Sequence, residues 1–132
     1  MKKFTLIFLV FIGISFSSCS EDEIDSNNII GEWKLIEQLA DSGDGSAVFK
    51  PINSDKTFTF FDNGIVTTNG SLCNPYSEQE LTSGSFSFEE KQIITNCNNS
   101  NISFIDFELK QGFLILNFIS NEGFSQKFKK IK

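Results

Sequence analysis

Hydrophobic and polar residues alternate with a period of two through most of the chain after residue 30. Side chains of a β-strand point to opposite faces in turn, so this alternation predicts strands with one buried face. No stretch of ten or more residues there has a clean helical period. The predicted strands are Trp33–Ala40, Lys56–Phe61, Ile65–Asn69, Gly84–Glu89, Gln92–Asn96, Asn101–Lys110, Phe113–Phe118 and Ser125–Ile131, with a further extended segment at Val48–Ile52.

Short turn sequences separate most of these strands. Asn63-Gly64 is the strongest hairpin signal, because both residues tolerate positive φ. Glu90-Lys91, Gln111-Gly112 and Asn121-Glu122-Gly123 are further predicted turns. Successive hairpins form a meander, and eight twisted strands in a meander close into an up-and-down barrel without exposed edges. We therefore predict an all-β, eight-stranded antiparallel barrel; the alternative is an open sandwich.

The N-terminus has the pattern of a secretory signal. Lys2 and Lys3 precede an apolar run over residues 4–16 and two small residues. A transmembrane helix is the competing interpretation, but spanning a membrane takes roughly 20 apolar residues, more than this run contains. The sequence Phe16-Ser17-Ser18-Cys19 resembles a bacterial lipobox. That resemblance implies that residues 1–18 are removed and that a lipid on Cys19 ties the exported protein to a membrane.

The signal sets the expected domain boundaries. We expect a signal peptide over residues 1–18, a lipidated acidic linker over 19–28 and one barrel domain over 29–132. Ser20 beside the lipidated cysteine is compatible with transfer to an outer membrane. The acidic run 21–23 resembles an export tag of surface lipoproteins, although any flexible linker has a similar composition. The expected location is the outer membrane. If residues 21–23 function as an export tag, the protein is exposed at the cell surface.

Composition excludes several classes of function. Removing residues 1–18 takes away two of eleven lysines and no acidic residue, which leaves a net charge of −8. Such a surface repels nucleic acid, so we expect none as a partner. We also expect the protein to be a monomer. The chain has no histidine and no arginine. Histidine-dependent catalysis, common zinc sites and an arginine clamp for phosphate are thereby excluded. We expect no enzyme, no catalytic residue, no metal and no cofactor.

Cys73 and Cys97 remain besides the lipidated cysteine. An even pair in an exported chain predicts a disulfide. Closing a loop of about 25 residues would stabilise the fold by roughly 3 kcal/mol. The alternative is two buried free thiols.

The start of the first strand, Gly31-Glu32-Trp33, resembles the lipocalin signature. Glycine permits a close turn there, and the tryptophan is expected to close one barrel end. Lipocalins usually stack an arginine on this ring; here Lys127, Lys129 or Lys130 would have to take its place. A narrower resemblance, to small lipocalin-like lipoproteins of Gram-negative bacteria, is carried by residues 31–35, 41–46, 54–60, 69–73, 96–97 and 127–131.

The resemblance implies a lipocalin-like fold and an envelope location but no particular activity. Our first expectation is a non-enzymatic envelope protein that binds a small hydrophobic ligand inside the barrel or acts as an envelope accessory. The alternative is a barrel filled by its own side chains, which would act as an interaction module for another envelope protein or a glycan. For the strand Asn101–Lys110 the inward face stays open, with Phe104 on one face and Phe107 on the other. The candidate ligand-lining residues are Phe58, Phe60, Phe86, Phe88, Phe104, Phe107, Ile115 and Phe118.

Other polar features have ordinary explanations. Asp41 and Asp44 in a glycine-rich loop could bind calcium, but their spacing matches no known calcium loop, which favours a solvated turn. Asp106 and Glu108 share a strand face and could be paired carboxylates, but an acidic outer stripe is the simpler interpretation. Tyr76 could contact a ligand or partner at the barrel rim.

Overall fold

The computed structural model of the protein describes residues 25–40, 44–73, 78–97, 104–118 and 123–132. The predicted signal peptide, Cys19, Asp41 and Tyr76 lie outside these residues, so the predictions made for them stay predictions. The described part contains β1 (Gly31–Ala40), β2 (Lys50–Pro51), β3 (Thr57–Phe60), β4 (Ile65–Thr68), β5 (Ser83–Ser87), β6 (Gln92–Ile94), β7 (Phe104–Lys110), β8 (Phe113–Phe118) and β9 (Phe124–Lys130). None of its segments is a helix with the length and apolar character that a membrane crossing requires.

The strands form one sheet that closes on itself. From β3 to β9 each strand pairs antiparallel with the next one in the chain, and β9 returns to pair with β1. Because β1 pairs with β3 on its other edge, β1 and β3–β9 form a closed eight-stranded barrel. The predicted all-β up-and-down barrel is confirmed, and the open sandwich is not formed. The short strand β2 pairs with the second half of β1.

Strand β1 contains a β-bulge. Leu35 pairs with Phe128 and Glu37 pairs with Lys127, so Ile36 is an extra residue. A bulge bends a strand and increases its twist. The bent strand can therefore pair with β3 along its first half and with β2 along its second half. The bulge also moves the inward face of β1 from odd to even positions, since Gln38 lies opposite the buried Gln126.

The core lies inside the barrel and consists of alternate residues of the strands. Trp33, Phe58 and Phe128 are completely buried, and Phe60 is 1% exposed. Burying a large apolar side chain stabilises a fold by roughly 1.5–3 kcal/mol, so these rings carry much of the stability. We call the end where Trp33 pairs with Lys130 the closed end, and the opposite end, where Ala40 pairs with Phe124, the mouth.

A disulfide joins Cys73 to Cys97, as predicted. Cys73 follows β4 and Cys97 follows β6, and both strands end on the mouth side of the barrel. The bond therefore connects two segments that are 24 residues apart in the chain. This arrangement ties the β4–β5 connection to the β6–β7 connection beside the mouth.

Candidate functional site: the barrel interior and its mouth

The closed end is built around Trp33. Its indole is fully buried, and its Nε1 donates a hydrogen bond of 2.8 Å to the carbonyl oxygen of Ile29. Ile29 is 2% exposed and belongs to the core, so the chain before β1 packs against the barrel. Gly31 has a φ of +129°, and a Cβ there would collide with the carbonyl oxygen of Lys132. The Gly-x-Trp residues therefore occupy positions that seal this end.

Lys130 is the lysine that covers the indole ring. Its Nζ lies 5.5 Å from the centre of the Trp33 ring and donates to the carbonyl oxygens of Asp25 (2.6 Å) and Asn28 (2.7 Å). Burial lowers the pKa of Lys130, and the Asp25 carboxylate opposes this effect. The electron-rich face of an indole ring attracts a cation that lies above it. Lys130 thus joins the N-terminal segment to the last strand, where lipocalins usually have an arginine.

Aromatic rings fill the half of the interior next to the closed end. Phe58 and Phe128 meet edge to face with their centres 5.2 Å apart, and Phe60 meets Phe107 at 6.3 Å. Such edge-to-face pairs are favourable beyond the area they bury. Because the rings near Trp33 are in contact and have almost no exposure, this half of the barrel is packed by the protein itself.

Five of the eight candidate lining residues lie on the inward face. Phe58, Phe60, Phe107 and Phe118 are buried there. Phe86 lies opposite the buried Ile93 and packs edge to face on Phe60 at 5.1 Å. These five residues belong to the core or pack directly against it.

Phe88, Phe104 and Ile115 do not line the interior. Phe88 lies in the turn after β5 and is 58% exposed. In β7 the buried residues are Ile105 and Phe107, which places Phe104 on the outer face. In β8 the buried residues are Leu114, Leu116 and Phe118, which places Ile115 outside. The pairing of each strand with its neighbours decides the inward face, and residue type alone does not.

Polar groups occupy the inward face toward the mouth. Lys56 precedes β3 at the same parity as Phe58 and Phe60, and its Nζ donates to Oε1 of Gln126 at 3.1 Å. Gln126 is 4% exposed and donates through Nε2 to Oε1 of Gln38 at 3.3 Å. Burial lowers the pKa of Lys56 to about 8. An ammonium and two amides therefore form one hydrogen-bonded chain from the middle of the barrel to its mouth.

A cavity of about 390 Å³ opens at the end of this chain of polar groups. Its lining includes Gln38 and Ala40 from the end of β1 and Lys50 from β2. Gln38 lies directly opposite Lys50, and directly opposed residues share a face, so the cavity adjoins the inward face. Small-molecule sites usually have 300–1,000 Å³. The remaining lining residues are Asp44, Ser46, Ala47, Val48 and Ile52.

The acidic candidates show local roles. Asp44 accepts hydrogen bonds from the hydroxyl and backbone N–H of Ser46, which lower its pKa. Asp106 accepts from Nε2 of Gln92 at 3.1 Å on the outer face of the barrel, and Glu108 is exposed there. Within the described ranges no three metal-ligating side chains come together. These contacts agree with a solvated turn and an outer stripe.

Sequence reasoning missed Lys56, Gln38 and Gln126 as interior residues. The alternation of strand faces could have identified Lys56, because a residue two positions before Phe58 lies on the same face as Phe58. The same signal applied to Gln126 between Phe124 and Phe128. The alternation could not identify Gln38, because the bulge at Ile36 moves the inward face of β1 from odd to even positions.

A closed eight-stranded antiparallel barrel with Gly-x-Trp at its first strand and one sealed end defines a lipocalin-like protein. The family model described as a lipocalin-like domain matches residues 29–116, and the chain belongs to this family. Proteins of this family are generally binding or transport proteins. A search of the curated proteins and a search of the solved structures each returned no match.

Proposed function

We propose that this protein is a lipid-anchored, non-enzymatic binding protein of the outer membrane that holds a small hydrophobic molecule at the mouth of its barrel. The mouth cavity of about 390 Å³ carries this proposal. It adjoins an inward face whose deeper part is apolar and aromatic, as binding sites for small hydrophobic molecules usually are. The lipobox resemblance at Cys19 supports the anchor.

The half of the barrel near Trp33 is filled by side chains, so the ligand lies in the other half. Phe118 and Phe124 are buried there with their ring centres 5.6 Å apart. Val48 and Ile52 are 63% and 36% exposed and line the mouth cavity. A ligand that covers these side chains removes apolar surface from water, which favours binding by about 25 cal/mol per Å².

Filling the mouth cavity tests this proposal. Ala40 lies on the inward face of β1 and lines the cavity, so Ala40→Trp places a large ring inside it. Leu39→Trp is the matched control, because Leu39 is the neighbouring residue on the outer face. Native mass spectrometry of the full chain, with fatty acids and other apolar compounds added, measures binding. We expect Ala40→Trp to abolish binding and Leu39→Trp to retain it; equal binding by both variants would refute a ligand at the mouth.

A separate observation supports the alternative function, an interaction module. Large apolar side chains are exposed on the outer surface near the closed end, where Phe88 is 58% and Phe61 is 42% exposed. Ile65 and Ile94 both flank Ser85 on the outer face of neighbouring strands and are 41% and 45% exposed. Exposed apolar patches mark interaction sites in many proteins. Phe88→Asp together with Ile94→Asp would then abolish capture of an envelope partner and leave ligand binding at the mouth unchanged.

A further inference from the structure

The N-terminal segment of the described chain is fastened across the closed end of the barrel. Nζ of Lys130 donates to the carbonyl oxygens of Asp25 and Asn28. Ser26 lies against the turn between β7 and β8, because a Cβ built on Gly112 would be 2.9 Å from the Ser26 Oγ. The chain that precedes Asp25 therefore leaves the domain at the closed end.

This exit point limits where a lipid anchor can hold the domain. Cys19, which carries the lipid in the proposed function, precedes Asp25 by six positions. Six extended residues span about 20 Å at most. Strand β1 has 10 residues and runs from the closed end to the mouth. At about 3.3 Å per residue and a tilt near 40°, the mouth lies roughly 25 Å beyond the closed end. A bilayer that holds the lipid is therefore nearer to the closed end than to the mouth.

Aromatic side chains are exposed at this same end of the barrel. Phe88, in the turn after β5, is 58% exposed, and Phe61, directly after β3, is 42% exposed. Phe88 and Gly64 line an open cleft of about 390 Å³ together with Asn28 and Ile30 of the N-terminal segment. The exposed rings thus lie beside the segment that leads to Cys19. Exposed apolar side chains grouped in this way mark a contact surface.

The charges at the closed end permit contact with a lipid surface. Exposed lysines there offset the exposed carboxylates, whereas toward the mouth Asp44, Glu78 and Glu80 are exposed against Lys50. Membrane surfaces carry anionic lipids, which repel an acidic surface and attract lysines. Lysine stems and aromatic rings also suit the boundary between headgroups and acyl chains. The lysines of the closed end are Lys91, Lys110, Lys129 and Lys132, and its exposed carboxylates are those of Asp25, Asp62, Glu89 and Glu90.

We propose that the closed end of the barrel rests on the bilayer that holds the lipid of Cys19, with the rings of Phe61 and Phe88 among the headgroups and the mouth directed away from the membrane. This proposal rests on the anchored location in the proposed function and adds the orientation of the domain. The short chain keeps both rings close to the lipid surface, so a contact that is weak by itself is formed in the anchored protein. In this orientation the mouth cavity stays open to the solvent.

Tryptophans introduced at opposite ends of the barrel test the orientation. Phe88→Trp places an indole in the proposed contact, and Val48→Trp is the matched control, because Val48 is 63% exposed at the mouth. The acylated full chain of each variant is reconstituted in phosphatidylcholine vesicles with or without bromine on the acyl chains. The emission of the unsubstituted protein, which comes from Trp33, is subtracted. We expect bromine to quench roughly half of the added emission in Phe88→Trp and none in Val48→Trp.

Flotation of each sample with its vesicles separates this proposal from the anchor. Floating protein in which neither variant is quenched, or both equally, would overturn the bilayer contact, keep the anchor and leave the exposed rings to a protein partner. Quenching of Val48→Trp alone would place the mouth on the membrane and overturn the orientation. Protein that does not float with the vesicles would overturn the anchored location together with the orientation. If Phe88→Trp does not fold, as judged by circular dichroism, Phe61→Trp gives the same readout.

Discussion

Replacing Lys56 by methionine should stabilise the ligand-free protein at neutral pH. Burial lowers the pKa of Lys56 from its ordinary value of 10.5 to about 8. One pKa unit corresponds to about 1.4 kcal/mol, so holding the charged ammonium in this site costs about 3 kcal/mol. The lost hydrogen bond to Gln126 offsets roughly 1 kcal/mol of the gain. We expect Lys56→Met to raise the free energy of unfolding by about 1–2 kcal/mol at pH 7.

The stability difference between the parent and Lys56→Met should shrink as the pH rises, because the pKa of Lys56 is lower in the folded protein. Between pH 8 and 10.5 the unfolded chain holds a proton on Lys56 that the folded protein has released. The stability of the unsubstituted protein therefore rises with pH through this range, relative to the variant. No titratable side chain within the described residues forms a salt bridge with Lys56, so this linkage belongs to Lys56 itself. The advantage of methionine should be complete below pH 8 and lost by pH 10.5.

Urea unfolding followed by Trp33 fluorescence measures this difference. Trp33 is the only tryptophan in the sequence and is completely buried, so unfolding exposes it to water. Both proteins carry Cys19→Ala, and Lys129→Met serves as the control for loss of a positive charge at the surface. A Lys56→Met variant that is less stable than the parent at pH 7, by an amount that does not change up to pH 10.5, would refute a desolvated ammonium at this position.

Three further changes test the closed end, the disulfide and the anchor. Gly31→Ala should destabilise the fold by about 1–3 kcal/mol, because the added Cβ collides with the carbonyl of Lys132 and the φ of Gly31 is positive. Gly45→Ala is the control, because Gly45 also has a positive φ but its added Cβ meets no atom within 4 Å. An equal loss of unfolding free energy in the two variants would exclude the collision. Replacing Cys73 and Cys97 by serine should cost about 3 kcal/mol in urea unfolding, and thiol labelling of the parent with Cys19→Ala should require reductant. Cys19→Ala should abolish metabolic lipid labelling and release the protein from the membrane fraction; unchanged membrane retention would contradict the anchor.

Several features of the fold were predictable from local pattern. Alternation at Phe58 and Phe60 and the Asn63-Gly64 turn identify the β3–β4 hairpin without any tertiary information. Gly31 and Trp33 at the start of the first strand pointed to a sealed barrel end, and the pair Cys73 and Cys97 pointed to a disulfide. The strands and turns depend on the period of a strand and on the turn preference of single residues, both of which act over short distances in sequence.

The candidate site depended on contacts that sequence does not contain. In β7 both faces carry apolar residues, and only pairing with β6 and β8 directs Ile105 and Phe107 inward and Phe104 outward. The selection of Lys130 over its two lysine neighbours as the cover of Trp33 follows from the register between β1 and β9.

The amphipathic alternation and the hairpin turns were sufficient to indicate an all-β barrel, because they are local properties of the polypeptide. Closure of the sheet and the bulge at Ile36 were needed to bring Lys56, Gln126 and Gln38 together on the inward face, although 88 residues of chain separate Gln38 from Gln126. An interior cation is recognisable only once the surrounding strands exclude water from it, and that exclusion is a property of the assembled barrel.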